Sequence, residues 1–129
     1  MPNRALNPSG VAAPLGTYSH AIEVPPNARW LYISGQVGMA ADGTVGETFA
    51  RQAELAWQNI LSVLAAAGMG PADLVDVTTY LTRTEDLPES RLARAQALGD
   101  ARPASTLVVI SALAAPRFLI EIEARAAKS

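Results

Sequence analysis

The sequence contains no cysteine and only one histidine among its 129 residues. Disulfide cross-links, thiolate metal sites and cysteine nucleophiles are therefore excluded. A metal site built from several histidines of one chain is excluded by the same composition. We expect no metal and no cofactor, so that any chemistry must come from carboxylates, hydroxyls, guanidinium groups and the backbone.

Charge and long apolar runs are also scarce. Only 17% of the residues are charged, the formal net charge is −2, and lysine and arginine form no run. The sequence therefore lacks the electrostatic footprint of a nucleic-acid-binding protein. No apolar stretch is long enough to cross a bilayer, and the first ten residues lack the apolar core of a signal peptide. We expect a cytoplasmic protein that binds neither nucleic acid nor membrane.

Half of the residues are hydrophobic, which is enough to form a packed core in one domain of this length. Residues 1–15 are rich in Pro, Gly, Asn and Ala and predict an irregular N-terminal arm. Hydrophobic periodicity in the rest of the chain predicts the order β-β-α-β-α-β-β. We therefore expect a single α+β domain, 1–129, with one mixed sheet and two helices packed on one of its faces.

The two predicted helices have clear signals at their ends. Apolar residues recur at helical spacing from Thr48 to Ala67, with Thr48 as the N-cap and Gly68 just past the end. The second helix is predicted to begin at Asp86, whose carboxylate would cap it, and to end before Gly99. Each helix is thus bounded by residues whose chemistry favours that position.

The strands are predicted from the alternation of apolar and polar residues. Residues 18–24 and 29–34 flank the turn Pro25-Pro26-Asn27 and are predicted to pair as a hairpin. Gly35 is expected at a bulge, or at a point where another group closely approaches the backbone. Apolar residues on more than one side of the later strands indicate that other subunits cover the face opposite the helices.

Several short motifs occur in a fixed order along nearly the whole chain. They are Gly16-Thr17-Tyr18-Ser19-His20-Ala21, Ser34-Gly35-Gln36, Gln52 through Asn59-Ile60, Ala66-Ala67-Gly68, Pro103-Ala104 and Ile120-Glu121-Ile122-Glu123-Ala124. Each motif is weak alone, but the ordered set resembles the Rid family, also called YjgF or L-PSP. The resemblance implies a chorismate-mutase-like fold and a homotrimer that binds a small molecule in a cleft between subunits. It also implies hydrolysis of reactive imines or enamines to ketones and ammonia.

The same resemblance implies a set of site residues. Tyr18 matches the tyrosine of the family's site, and Glu121 matches the glutamate that positions or activates water. Ser34 and Gly35 match the strand edge that lines the cleft. Pro103-Ala104 matches the start of a motif that continues, in the family, with an arginine that binds the substrate carboxylate.

Ser105 stands at the position of that arginine, and Thr106 follows. A guanidinium binds a carboxylate through two parallel hydrogen bonds, whereas a hydroxyl offers one neutral hydrogen bond. Because losing the charged partner of a desolvated carboxylate costs roughly 2–5 kcal/mol, we expect a substrate other than the usual 2-aminoacrylate type. Arg102 lies three residues earlier on an extended chain and should point to the opposite face. Arg91, near the start of the second helix, is the other candidate for a cation in the cleft.

Less specific interpretations exist for each of these residues. Glu121 and Glu123 share one face of a strand and could form a solvated surface or an intersubunit salt bridge, and Glu123 is expected to be structural. Tyr18 could be an aromatic residue at the rim of the cleft, and His20 is expected at a surface or interface. A nucleophilic role of Ser105 is disfavoured because the sequence shows no histidine base to accompany it.

The sequence therefore leaves two functions open. The first is an imine or enamine deaminase, and the second is a non-catalytic small-molecule-binding or chaperone-like trimer. A ribonuclease, which an older name of the family suggests, is disfavoured by the net negative charge and by the absence of a histidine pair.

The expected homotrimer is tested by the mass of the particle in solution. Sedimentation equilibrium of the purified protein should give three times the 13.5 kDa of one chain, because a sheet face with exposed apolar residues is unfavourable in water. A mass near that of one chain would remove the intersubunit cleft.

Overall fold

The computed structural model describes residues 1–129, which form six strands and two helices. The strands are β1 Arg4–Leu6, β2 Ala21–Glu23, β3 Arg29–Val37, β4 Leu74–Leu81, β5 Ala104–Val109 and β6 Ile120–Lys128. The helices are α1 Phe49–Ala66 and α2 Leu87–Leu98. Neither helix is long and apolar enough to cross a membrane. The predicted order of elements is confirmed, with the short β1 added before it.

The main sheet contains four strands in the order β3-β6-β4-β5. β6 is antiparallel to both of its neighbours, whereas β4 and β5 are parallel. Parallel neighbours need a crossover connection, and α2 supplies it between β4 and β5. The predicted α+β fold with a mixed sheet is therefore confirmed.

The predicted hairpin between residues 18–24 and 29–34 is wrong. β2 pairs with β1, inside the arm that was expected to be irregular, and β3 pairs with β6. The turn at Pro25-Pro26-Asn27 exists, and Asn27 adopts a positive φ of 67°. A turn reverses the chain without selecting a pairing partner, and β6 offers the nine residues of β3 a nine-residue partner.

The core lies between α1 and the face of the sheet that α1 covers. Every second residue is buried from Val77 to Leu81 on β4 and from Ile120 to Ala126 on β6, and these residues meet the apolar face of α1. The fully buried side chains at this contact include Ala53, Ala56, Ile60, Leu64, Leu81, Ile120 and Ile122.

The predicted ends of α1 are confirmed. The Thr48 hydroxyl accepts a hydrogen bond from the Arg51 N–H at 3.1 Å, and Gly68 has a φ of 70°. A positive φ of this size favours glycine because it has no Cβ. The helix therefore begins and ends where its capping residues are found.

The predicted capping role of Asp86 is wrong. Its carboxylate accepts two hydrogen bonds from the Arg83 guanidinium, at 2.7 and 3.0 Å. It accepts no hydrogen bond from the backbone N–H groups at the start of α2. The reason is that Asp86 closes a 3₁₀ turn and has a helical backbone itself, while an N-cap residue needs an extended one. Gly99 ends α2 with a φ of 58°, as predicted.

Gln52 on α1 joins two loops to the helix. Its side chain is buried, donates to the Gly46 carbonyl at 3.0 Å and the Arg117 carbonyl at 2.8 Å, and accepts from the Leu119 N–H at 2.9 Å. All three partners are backbone groups that would have no hydrogen-bond partner inside the protein without this side chain. Through Leu119 this side chain also fixes the start of β6.

Replacing Gln52 should destabilise the fold. Gln52→Ala should lower the free energy of unfolding by about 2–4 kcal/mol, because one buried and two partly buried backbone groups lose their partner. Gln58→Ala, at an exposed position of the same helix, should change it by less than about 0.5 kcal/mol. Urea denaturation measures both values, and equal losses would contradict the assigned role of Gln52.

Candidate functional site

The two faces of the main sheet present different chemistry. One face packs on the helices, and we call the opposite one the outer face. Glu121, Glu123 and Arg125 point to the outer face because they alternate with buried residues of β6. Thr106 lies on the outer face as well, since it pairs with Thr78 in the parallel β4–β5 register.

A pocket of about 430 Å³ lies between α2 and the helix-facing side of β5. We call it the α2–β5 pocket. It brings together three predicted site residues, Tyr18, Arg91 and Ser105, and adds Arg94, which sequence reasoning missed. Its complete lining is Leu15, Gly16, Tyr18, Leu87, Arg91, Arg94, Ser105, Leu107 and Val109.

Regular backbone geometry places the walls of this pocket. Ser105 pairs with Val77, a core residue of β4, so its side chain faces the helices. Leu107 and Val109 follow at intervals of two and share that face. Arg91 and Arg94 are three residues apart and therefore lie on one side of α2.

The segment before β2 closes the pocket at its edge. The Ser19 N–H donates to the Pro103 carbonyl at 3.0 Å, which fixes this segment beside the start of β5. The Tyr18 hydroxyl accepts from the Leu15 N–H at 3.1 Å, so Tyr18 also holds the loop that carries Leu15. The tyrosine is thus placed in the pocket wall by backbone contacts on either side.

Arg94 is the most buried charged group of the pocket, with 8% of its surface exposed. Its Nε donates to the Thr17 hydroxyl at 2.9 Å. None of the four ion pairs of the protein involves Arg94 or Arg91. Burial lowers the pKa of Arg94, and the positive charge of Arg91 lowers it further. The spacing of three residues on a predicted helix was the signal that could have identified it.

Thr106 lies in an adjoining hollow of about 250 Å³ that shares Tyr18 and Ser105 with the α2–β5 pocket. His20 lines the same hollow and is half-buried. Its Nε2 lies 2.7 Å from the Ala12 carbonyl, a contact that fastens the N-terminal arm.

Glu121 and Gly35 meet at a bulge in β3. Ser34 and Gly35 together oppose the single residue Glu123 of β6, because the register shifts between Ile33 and Gln36. A Cβ on Gly35 would lie 2.8 Å from Cδ of Glu121, closer than such atoms approach in proteins. Only glycine therefore leaves room for the Glu121 carboxylate in this position. Gly35 was predicted either at a bulge or at a close approach, and it has both features.

Glu121 differs from the charged residues around it in having no partner. The Tyr80 hydroxyl donates to Glu123 at 2.7 Å, which raises the pKa of Tyr80, and Asp76 pairs with Arg125 at 3.0 Å. No hydrogen bond or ion pair of the protein uses the Glu121 carboxylate. Glu123 thus has a structural partner, whereas the Glu121 carboxylate has none within the protein.

The predicted site residues form two groups within one chain. Ser105 pairs with residue 77 of β4 and Glu121 with residue 80, on opposite sides of that strand. The Cα atoms of Ser105 and Glu121 are therefore two strand spacings apart across the sheet and three residues apart along it, which is a distance of roughly 14 Å. Their side chains also point to opposite faces of the sheet. We call Tyr18, Arg91, Arg94 and Ser105 the cationic half of the site, and Ser34, Gly35 and Glu121 the acidic half.

The residues of neither half resemble a metal centre. No group of three or more His, Asp or Glu side chains in the protein lies close enough to hold a metal ion. The side chains of the two halves carry guanidinium groups, hydroxyls and one carboxylate.

Comparison with known proteins establishes the family. The model of the Endoribonuclease L-PSP family matches residues 10–128. A RutC family protein of Pyrococcus horikoshii is 35% identical over 120 residues, which is 89% of this chain and 90% of that protein. The RutC family protein YjgH of Escherichia coli is 37% identical over 110 residues, which is 84% of this chain and 82% of that protein. The chain belongs to the Rid family, as its motifs indicated.

Known structures and one further relative extend this result. The Rid-family protein YyfB of Yersinia pestis is 33% identical, with a TM-score of 0.87 over 98% of both chains. Escherichia coli TdcF with bound serine has the same fold, with a TM-score of 0.74 over 98% of this chain and 99% of that one at 22% identity. A 2-iminobutanoate/2-iminopropanoate deaminase of Dermatophagoides farinae is 29% identical over 89 residues, 67% of each chain. The family therefore includes imine deaminases.

Two glycine substitutions test the geometry of the bulge. Gly35→Ala should lower the free energy of unfolding by less than about 1 kcal/mol, because the flexible end of Glu121 can move away. Gly38→Ala should cost about 3 kcal/mol or more, because the new Cβ would meet the α1 backbone at Gln52.

Urea denaturation gives both values. In a Glu121→Ala background the cost of Gly35→Ala should disappear, while the cost of Gly38→Ala should remain. An unchanged cost of Gly35→Ala in that background would show that Glu121 does not occupy the bulge.

Proposed function

We propose that this protein hydrolyses small imines or enamines at a site completed by two subunits of a homotrimer. One subunit contributes the cationic half and its neighbour the acidic half. The observation that carries the proposal is the unpartnered Glu121 carboxylate, which lies over the bulge at Gly35. The imine deaminase among the relatives and the serine bound to TdcF support a small nitrogen-containing substrate.

Hydrolysis of an imine needs a base that takes a proton from water, and it needs space for the ammonia that leaves. The Glu121 carboxylate takes a proton from water while the oxygen attacks the imine carbon, and the C=N double bond becomes a C–N single bond. The protonated Glu121 then returns its proton to the nitrogen. In the resulting carbinolamine the hydroxyl proton then moves to the nitrogen, the C–O bond becomes C=O, and the C–N bond breaks. Ammonia leaves and the ketone remains, so one water is consumed for each imine.

The remaining residues of the two halves, together with Thr106 in the adjoining hollow, bind and orient the substrate. The backbone of Ser34 and Gly35 supplies polar groups at the bulge, where the strand pairing is interrupted. Tyr18, Ser105 and Thr106 supply hydroxyls at the edge of β5, and Arg91 supplies a positive charge. These roles extend the family's site to the residues present in this chain.

Exposed apolar surface supports assembly of the two halves. Tyr32 on β3 is 72% exposed, and Val108 and Val109 on β5 are 38% and 41% exposed. These residues lie on the two edge strands of the sheet. Burial of both edges against neighbouring subunits would remove apolar surface from water and would bring the acidic half of one subunit towards the cationic half of the next.

A second function, ligand binding without catalysis, is favoured by the neutral side chain of Ser105. A trimer that retained the pocket and lost a substrate-orienting charge would still bind a small molecule. Measured turnover separates the two functions.

The direct test follows ammonia release from 2-iminobutanoate generated in situ. Wild-type protein should accelerate the hydrolysis, and Glu121→Gln should slow it by about a hundredfold or more, because it removes the base. Glu123→Gln is the matched control, two residues away on the same face of β6, and should change the rate less than about threefold. Sedimentation of each variant verifies that the oligomer is intact.

Acceleration by neither wild type nor Ser105→Arg would overturn the deaminase for this class of substrate. Equal effects of the two glutamate substitutions would show that the Glu121 carboxylate has no special role.

A further inference from the structure

The Arg94 guanidinium is held in place but not neutralised. A guanidinium carries five N–H donors, and the protein satisfies only the one on Nε, through the Thr17 hydroxyl. Of the acidic residues at the start of α2, Asp86 is paired with Arg83, and Glu89 in the first turn forms no ion pair with Arg94. Arg94 therefore presents unused donors to the α2–β5 pocket.

The cost of this arrangement is electrostatic. Arg91 lies one turn earlier on the same side of α2 and places a second positive charge at the same pocket. Two like charges repel, and burial removes much of the water that would stabilise Arg94. The lowered pKa of Arg94 has these two causes. An anion bound between the two guanidinium groups would offset both the repulsion between the two charges and the loss of hydration of Arg94.

The rest of the pocket limits the kind of anion. Leu87 on α2 and Leu107 and Val109 on β5 form an apolar wall beside the two arginines. A ligand that fits both surfaces has an anionic head and a short hydrocarbon tail. A small inorganic anion would leave the apolar wall in contact with water.

We infer that Arg94 is the residue that binds the anionic group of the ligand, and that the ligand is a small organic carboxylate with an apolar tail. The inference rests on the proposed function for the use of this pocket and names the class of substrate. The carboxylate forms two hydrogen bonds with Arg94, and Arg91 adds charge from the more exposed side of the pocket. Arg94 thereby sets specificity at a position other than residue 105.

Two neighbouring residues keep Arg94 in this orientation. The Thr17 hydroxyl fixes Nε, and Gly16 leaves room for Nη2, since a Cβ on Gly16 would lie 3.1 Å from that atom. Thr17 is accordingly a positioning residue. Its role is to aim the remaining donors of Arg94 into the pocket.

Calorimetric titration of the purified oligomer tests the inference. The probe is 4-methyl-2-oxopentanoate, a 2-oxo acid with a branched tail. Arg94→Gln should weaken its binding by about 30-fold or more, because a buried carboxylate loses its charged partner. Arg94→Lys should restore part of the affinity, since it returns the charge without the planar fork. Thermal unfolding of each variant verifies that it is folded.

Three controls show whether the loss of affinity depends on the position of the removed charge, on the class of ligand and on the orientation of Arg94. Arg51→Gln removes the same charge from an exposed position on α1, where Arg51 pairs with Glu54, and should leave binding within about twofold of wild type. Pyruvate, which lacks the branched tail, and inorganic phosphate should both bind more weakly than the probe. Thr17→Val should weaken binding of the probe by less than Arg94→Gln does.

The inference would be overturned if Arg94→Gln bound the probe with unchanged affinity. It would also be overturned if inorganic phosphate bound to the wild-type protein as tightly as the probe does. Ammonia release by the wild-type protein, measured separately from this titration, distinguishes failure of the inference from failure of the proposed function. Binding that depends on Arg94 without any turnover would retain the inference and reject the deaminase.

Discussion

The alternation of side chains in the four-stranded sheet determines where chemistry can occur in this protein. Ser105 on β5 and Glu121 on β6 lie on opposite sides of β4, and their side chains point to opposite faces. A one-residue shift in either strand would reverse its faces, and would also move the core residues that alternate with them into water. The separation of Ser105 from Glu121 is thus fixed by the same pattern that forms the core.

Each half carries an unbalanced charge that the fold tolerates. Arg94 is buried without an acidic partner, and Glu121 lies over Gly35 without a basic one. Elsewhere the protein pairs its partly buried charges, as in Asp86 with Arg83. Two unpaired charges of opposite sign, on surfaces that one chain cannot bring together, are what a site shared between subunits requires. A substrate with an anionic head and an electrophilic carbon would contact both.

Local chemistry in the sequence was sufficient for much of the fold. Both ends of α1 followed from capping residues such as Thr48, because these signals depend on neighbours in the chain. Pairing partners depend on distant residues, which is why the hairpin between 18–24 and 29–34 was wrong. Arg94 was not predicted because its place beside Ser105 depends on the tertiary position of α2, although its helical spacing from Arg91 is a local signal. The contact of Glu121 with Gly35 needed the register of β3 and β6.

Subunit complementation tests most directly whether the two halves come from different subunits. Glu121→Gln and Arg94→Gln chains, each with little activity alone, are mixed in equal amounts under conditions that exchange subunits, and imine hydrolysis is measured well below saturation. If each site joins two chains, random mixing restores about one quarter of the wild-type activity, because half of the chains supply each intact half. No recovery in verified mixed oligomers would show that both halves must belong to one chain and would contradict the shared site.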